Sequence, residues 1–341
     1  MSQKPQRKFF PNVSRRGFLI TAAAGVSGGI GLPWYYAKRY ESGWRASVFV
    51  GRAESYQDDL EKKLSTGMLE LGIDANVIRD RSILLKPNLV EPYREARHIN
   101  THPLFVEAAA KTFLRMGAET VIVGEGAGHR RDSKMVLAES GFDTVLSRSR
   151  LQFIDLNVSD VYSTPNLGNR GKLSEFWFPE ILRKVDFVVS IAKMKTHHWM
   201  GVTLSMKNLF GLMPGIVYGW PKNLLHYNGI EQSILDICET VKPDLAIVDG
   251  ITGMEGDGPL MGEPVEAGVF AIGRNLPAVD ATCARIMGID PSEIGYLYLA
   301  SGALGPIRTD HIEQRGENPA AVRTDFRLLE EIAAQKGIRL V

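Results

Sequence analysis

The most unusual stretch of the chain runs from Val188 to Gly215, VVSIAKMKTHHWMGVTLSMKNLFGLMPG. Lys193 and Lys195 alternate, so on an extended strand both side chains leave by the same face, and His197 joins them if the extension persists. Two ammonium groups and an imidazole on one face suit anion binding or proton transfer, and their crowding lowers lysine basicity toward the general-base range. A basic edge strand facing water would show the same spacing, but Val188, Val189 and Ile191 before it and Trp199-Met200 after it argue for burial. Lys193, Lys195 and His197 are therefore the candidate catalytic groups, with His198 read as a packed neighbour.

Around them stand residues that could orient or neutralise a substrate. Lys86-Pro87-Asn88 closes an apolar run, and Lys207-Asn208 lies in the helix-like segment Leu204 to Met213, where Lys207 either snorkels or turns into the cleft. Lys86, Asn88, Lys207 and Asn208 are the candidate substrate-binding set. From Asp249 to Pro259 a glycine-rich segment carries Asp249, Glu255 and Asp257. Such an oxygen-rich loop would hold magnesium, calcium or manganese, or would pair with Lys193 and Lys195. It lacks the ligand alternation of an EF-hand. Gly124-Glu125-Gly126-Ala127-Gly128 misses the dinucleotide spacing, and Glu125 would repel phosphate without an intervening cation. His98 and His102 are not on one helical face, because His102-Pro103 marks a helix start near which an anion could sit. A nucleophile elbow, a His-Glu-x-x-His helix and a Walker loop are all absent from the sequence.

The elements that must position these groups follow one repeated pattern: a short β-branched run, a polar or glycine-containing loop, then an amphipathic helix. Strands are expected at Ala46–Gly51, Ser82–Leu89, Thr120–Gly124, Phe153–Leu156, Asp186–Ala192, Leu245–Asp249 and Val269–Ile272. Helices are expected at Pro103–Met116, Ser133–Ser140, Gly229–Val241 and Ala278–Met287. The alternation predicts an α/β fold, a mostly parallel sheet with helices on both faces, in a single large domain over 43–341 with a small inserted subdomain around Tyr162 to Pro179. In such sheets ligands bind outside the carboxyl ends of the strands, where Lys86, Glu125, Asp155, Lys195 and Asp249 fall.

Forty basic residues against 39 acidic ones give the whole molecule no field that would attract nucleic acid. The balance hides an asymmetry. Residues 1–42 hold seven basic side chains and one acidic one, Glu41, a surplus that takes the formal +1 of the chain to −5 beyond them. There Ser14-Arg15-Arg16-Gly17-Phe18-Leu19-Ile20 precedes an uncharged stretch to Ala37, which resembles a twin-arginine export signal. The expectation is export of the folded protein through the twin-arginine machinery, either released into the periplasm or kept as an N-terminal anchor on the outer face of the cytoplasmic membrane. Two cysteines, Cys238 and Cys283, with no Cys-x-x-Cys pair, argue against an iron–sulfur cluster or a cysteine zinc site.

Lys86-Pro87-Asn88, Lys195-Thr196-His197 with Gly201-Val202-Thr203, Lys207-Asn208-Leu209-Phe210-Gly211, Asp249-Gly250-Ile251 through Gly258-Pro259, and Val279-Asp280-Ala281 through Met287-Gly288 together resemble a bacterial and archaeal family, domain of unknown function number 362. The resemblance covers about residues 82–315. Many relatives carry ferredoxin-like cysteine motifs, from which this chain departs. The functional expectation is an exported enzyme acting on an anionic small molecule, with a divalent metal at the carboxylate loop. The alternative is a non-catalytic binding or maturation factor for a ligand or redox partner.

Overall fold

The computed structural model describes residues 45–92, 95–96, 98–128 and 131–341. Arg15-Arg16 and the uncharged run after them lie outside the described residues. Among the described residues there are eleven strands, β1 (Ala46–Arg52), β2 (Ser82–Pro87), β3 (Thr120–Glu125), β4 (Gln152–Asp155), β5 (Val161–Pro165), β6 (Glu175–Pro179), β7 (Phe187–His197), β8 (Gly201–Thr203), β9 (Leu245–Glu255), β10 (Glu263–Gly273) and β11 (Ile312–Gly316). Their main sheet runs β11-β1-β10-β9-β7-β2-β3-β4, with β8 added to the end of β7. From β9 to β4 every neighbouring pair is parallel. β10 lies antiparallel to both β9 and β1, and β11 closes the other edge parallel to β1.

Helices cover both faces, as the alternation of the sequence requires. On one face α1 (Leu60–Glu70) and α2 (Pro103–Arg115) bury Leu64, Met68, Phe105 and Phe113 against Val189, Ile191 and Ile247. On the other, α3 (Ile230–Val241) and α4 (Leu276–Ile286) bury Ile234, Ile237, Val279 and Ala281 with Ala192, Met194 and Val248. Local chemistry sets the helix starts. His102 accepts the amide of Leu104 ahead of Pro103, and the side chain of Asn275 accepts that of Ala278 ahead of Pro277. The described residues belong to one compact unit. The segment expected as an insertion is the antiparallel ribbon β5–β6, whose Phe176 and Phe178 are buried in the same core as α3 and α4. No helix among the described residues is long and apolar enough to cross a membrane.

Two long central strands, β7 and β9, carry the candidate groups. All eleven residues of β7 are buried, because it has a parallel neighbour on each side and helices on each face. β9 extends to Glu255, well past the Asp249 at which a loop was expected. Lys193 pairs with Asp249 but Lys195 pairs with Met254, so β9 spends five residues where β7 spends two. Gly250 and Gly253 lie within this bulge, where a Cβ would meet Met194 Cε at 2.7 Å or Phe326 Cζ at 2.8 Å.

The segment after β8 is held from a distance. Asp280, on α4 and fully buried, accepts the amide of Ser205 (2.8 Å), its hydroxyl (2.5 Å), the amide of Met206 (3.0 Å) and the phenol of Tyr296 (3.3 Å). Burial, opposed by these donors, leaves this carboxyl raised to about 7. They also fix the first turn of the short helix Ser205–Asn208, which carries Lys207 and Asn208. Asp280→Ala strands these donors without an acceptor. It is expected to cost about 3 kcal/mol in urea unfolding, within the range for buried donors left unsatisfied; a loss under about 0.5 kcal/mol would show that the bonds hold nothing in place.

Candidate functional site

At the carboxyl ends of β2, β3 and β7 lies a cavity of about 390 Å³. Four lysines line it, Lys86, Lys195, Lys207 and Lys222, with His197, His198 and His226; Glu125 is the one acidic residue among its described lining. The field inside is therefore set by cations.

Lys86 is committed to the fold. Its ammonium donates to Glu125 Oε2 (2.5 Å), Pro87 O (2.8 Å) and Asn208 Oδ1 (3.1 Å). Glu125 in turn accepts the amides of Leu89 (3.2 Å) and Gly126 (2.8 Å). Burial lowers the basicity of Lys86, and the Glu125 carboxylate offsets this only in part. Three acceptors use its three protons, so Lys86 neutralises Glu125 rather than reaching for a ligand. Asn208 likewise gives its amide to Lys86 O (3.1 Å) and Ser190 Oγ (3.0 Å). Asn88 spends only its amide nitrogen, on Asn208 Oδ1 at 3.3 Å, and its own Oδ1 is buried without a partner. Thr203 Oγ1 is in the same condition on the same cavity.

The remaining lysines are held without a carboxylate. Lys195 donates to Ile99 O (2.8 Å) and Pro259 O (3.3 Å), and burial with the nearby charges of Lys193 and Lys207 brings it down to about 7. Lys207 has its ammonium 4.2 Å from the ring centre of Phe210, and burial with Lys86 takes it to about 8. Lys222, bonded to Asn157 Oδ1, is lowered to about 8 by burial. His197 accepts the amide of Trp199 at Nδ1 (3.0 Å), which leaves the neutral ring's proton on Nε2. Burial, followed by the charge of Lys207, keeps the ring neutral well below its ordinary range. It is a fixed hydrogen-bond donor.

Two groups of expected site residues lie outside this cavity. Lys193, placed by alternation with Lys195 and His197, is absent from the cavity lining because its ammonium is taken by Asp249 Oδ2 (2.9 Å) and the hydroxyl of Tyr56 (2.7 Å). Both ends of that pair are fully buried. Asp249 also accepts Tyr56 OH (3.0 Å) and the amides of His102 (3.0 Å) and Ile251 (3.2 Å), and Tyr56 stacks on His102 at 3.7 Å. The second group is Asp249, Glu255 and Asp257, the set expected to hold a divalent metal. Among the described residues no group of three or more His, Cys, Asp or Glu side chains could hold a metal ion. Asp249 serves Lys193, Glu255 accepts the amide of Arg327 (2.8 Å), and Asp257 stands 3.6 Å from His198 Nδ1. The cause is the continuation of β9 as a strand to Glu255, which carries Glu255 away from Asp249 and leaves Asp257 in the turn beyond the strand.

Sequence reasoning missed Thr203, Lys222 and His226. Thr203 ends β8, too short for a periodic signal, and Lys222 follows Trp220-Pro221 in a left-handed conformation (φ 72°). The only trace of Lys222 in the sequence is its place in a Gly-Trp-Pro-Lys turn between apolar segments.

The family described as "Domain of unknown function (DUF362)" matches residues 83–285. A protein of Synechocystis sp. (strain ATCC 27184 / PCC 6803 / Kazusa), named as thylakoid-associated, is 28% identical over 287 residues, 83% of either chain. Among solved structures, a Thermotoga maritima protein and the lactate racemase apoprotein of Thermoanaerobacterium thermosaccharolyticum each align with TM-score 0.34 and 14% identity, over 60% and 61% of this chain. The chain spans about half the length of these two structures, 53% and 51%.

The contrast between the two lysines of β7 is measurable. Asp249→Asn leaves Lys193 buried and unpaired and is expected to cost about 3 to 5 kcal/mol, with much of that recovered in the double variant Asp249→Asn, Lys193→Met. Lys195→Met removes a cation that no carboxylate pairs and is expected to change stability by less than about 1.5 kcal/mol, as volume-conserving changes do. Equal losses for Asp249→Asn and Lys195→Met in thermal or urea unfolding would contradict the distinction.

Proposed function

Since the chain belongs to the family "Domain of unknown function (DUF362)", whose description names no reaction, we propose from its own cavity that it binds a small anionic molecule there and exchanges a proton with it. One observation carries this reading. Lys195, Lys207 and Lys222 face a single cavity with no carboxylate among the described residues bonded to any of them, beside the unpartnered buried oxygens of Asn88 and Thr203. Buried cations and orphaned polar atoms are costly unless a ligand satisfies them. In this reading Lys207 and Lys222 hold the negative charge, and His197 Nε2–H and the Thr203 hydroxyl donate to ligand oxygens. Asn88 Oδ1 accepts from a ligand N–H or O–H. Lys195, at about 7, is the group that gives or takes the proton near neutral pH.

A second reading has its own support. The carbonyls of Ile99 and Pro259 both favour the ammonium form of Lys195, which suits a receptor that holds an anion without turning it over. The two readings differ in whether the bound molecule leaves changed. Export is part of the proposal in either case: Arg15-Arg16 before the uncharged run supports transfer of the folded protein to the outer face of the membrane, released or anchored. A relative named as thylakoid-associated supports a location at a membrane.

Sulfate, a dianion throughout the working range, tests the site by calorimetry. Protonated lysines bind it and neutral ones do not, so affinity is expected to rise as pH falls from 9 to 6, steepest between about 8 and 7 where Lys207, Lys222 and Lys195 gain their protons. Lys207→Met should weaken binding at pH 7 by about tenfold, the size of one charge-assisted hydrogen bond. Affinity that does not change with pH, or none at millimolar sulfate, would refute the anion site.

The address is tested separately by fractionation. With Arg15→Lys and Arg16→Lys together, the full chain is expected to remain in the cytoplasm; export at the unaltered level would end that part of the proposal.

A further inference from the structure

Beside its cationic groups the cavity carries a second lining of different chemistry. His198, Trp199, Phe210 and His226 line it as one connected group of rings, with His198–Trp199 centroids 4.8 Å apart, Trp199–His226 5.4 Å and Phe210–His226 6.3 Å. Trp199 is its outermost member, with 55% of its surface exposed, although an indole ring gains by burial. His198 and His226 meet it at 83° and 80°, and His197 at 47°, so among the described residues no ring lies parallel to it. Its described ring contacts are edge-type or tilted, and none is a parallel stack. Phe210 carries the ammonium of Lys207 at 4.2 Å, which joins the ring wall directly to the anion-binding groups.

A simple inorganic anion would use the lysines and leave this wall in water. A cavity of about 390 Å³ is also far larger than such an ion, whereas it falls within the range that holds an organic ligand of many atoms. We propose that the ligand is an aromatic anion: a flat ring or heterocycle lying along Trp199 and the ring cluster, joined to an acidic group that reaches Lys207 and Lys222. This rests on the proposed anion site and narrows its substrate class. The ring supplies apolar contact and stacking, and the acidic group supplies charge, each at the wall built for it.

Four probes of graded chemistry test this on the full chain by calorimetry at pH 6.5: sulfate, cyclohexanesulfonate, 2-naphthalenesulfonate and 2-naphthol. The expected order is 2-naphthalenesulfonate tighter than cyclohexanesulfonate by about tenfold, from stacking together with the larger flat apolar area of the naphthyl ring, with 2-naphthol weaker than either for want of charge. Trp199→Ala is expected to remove most of the preference for the naphthyl over the cyclohexyl compound while leaving sulfate affinity within about twofold, and Trp199→Phe to restore part of it. Trp199 donates to His197 through its backbone amide, so the substitution leaves that bond in place. Equal affinity for the two sulfonates, or a preference untouched by Trp199→Ala, would overturn the aromatic assignment while sulfate binding upheld the anion site. Binding of none of the three anions would overturn both.

Discussion

The buried pair between Lys86 and Glu125 is the constraint on which the cavity depends. It joins the ends of β2 and β3, and it gathers the amides of Leu89 and Gly126 on the carboxylate and the side chain of Asn208 on the ammonium. The turn after the helix Ser205–Asn208 packs so closely on it that a Cβ on Gly211 would lie 1.9 Å from Glu125 Oε1 and 2.5 Å from Lys86 Nζ. No side chain other than hydrogen fits there. Taking both charges out of water is costly, and only the close contact and the added hydrogen bonds offset it. Once Glu125 is neutralised in this way, no free negative charge of the described lining faces the other three lysines.

The protein thus handles buried ammonium groups in two ways. Lys86 and Lys193 each have a carboxylate and further acceptors, and they tie elements together: β2 to β3, and β7 to β9 and Tyr56. Lys195, Lys207 and Lys222 have carbonyl, ring or amide neighbours instead, and burial lowers all three into the range where protonation changes near neutrality. In the proposed function these are the charges that a bound anion would neutralise. The Asp280 contacts belong to the same design, because they anchor the turn that presents Lys207.

His197 shows how a backbone contact decides chemistry. An imidazole beside a lysine reads in isolation as an acid–base group, yet the amide of Trp199 occupies its Nδ1 and fixes the proton on the other nitrogen. The same residue, Trp199, extends its ring to the cavity mouth. One short turn between β7 and β8 therefore sets both the donor inside the cavity and the ring at its rim.

Much of the architecture was legible in the sequence because it follows from local periodicity. Apolar runs at Ser82 to Leu89 and Leu245 to Asp249 read as covered strands, Pro103 opened a helix, and the alternation of Lys193, Lys195 and His197 placed all three on one strand, which is fully buried. The limits of β7 and β9 were set too short, since each strand keeps its pairing beyond its apolar run, through residues that read as loop. What the sequence alone could not determine is which buried cation meets which carboxylate. Parallel register brings Asp249 beside Lys193, and the bulge at Gly250–Gly253 then brings Met254, an uncharged residue, beside Lys195. That pairing depends on how two strands about fifty residues apart align, which is a property of the packed sheet, and it is what left Lys195 free to face the cavity while Lys193 became part of the frame.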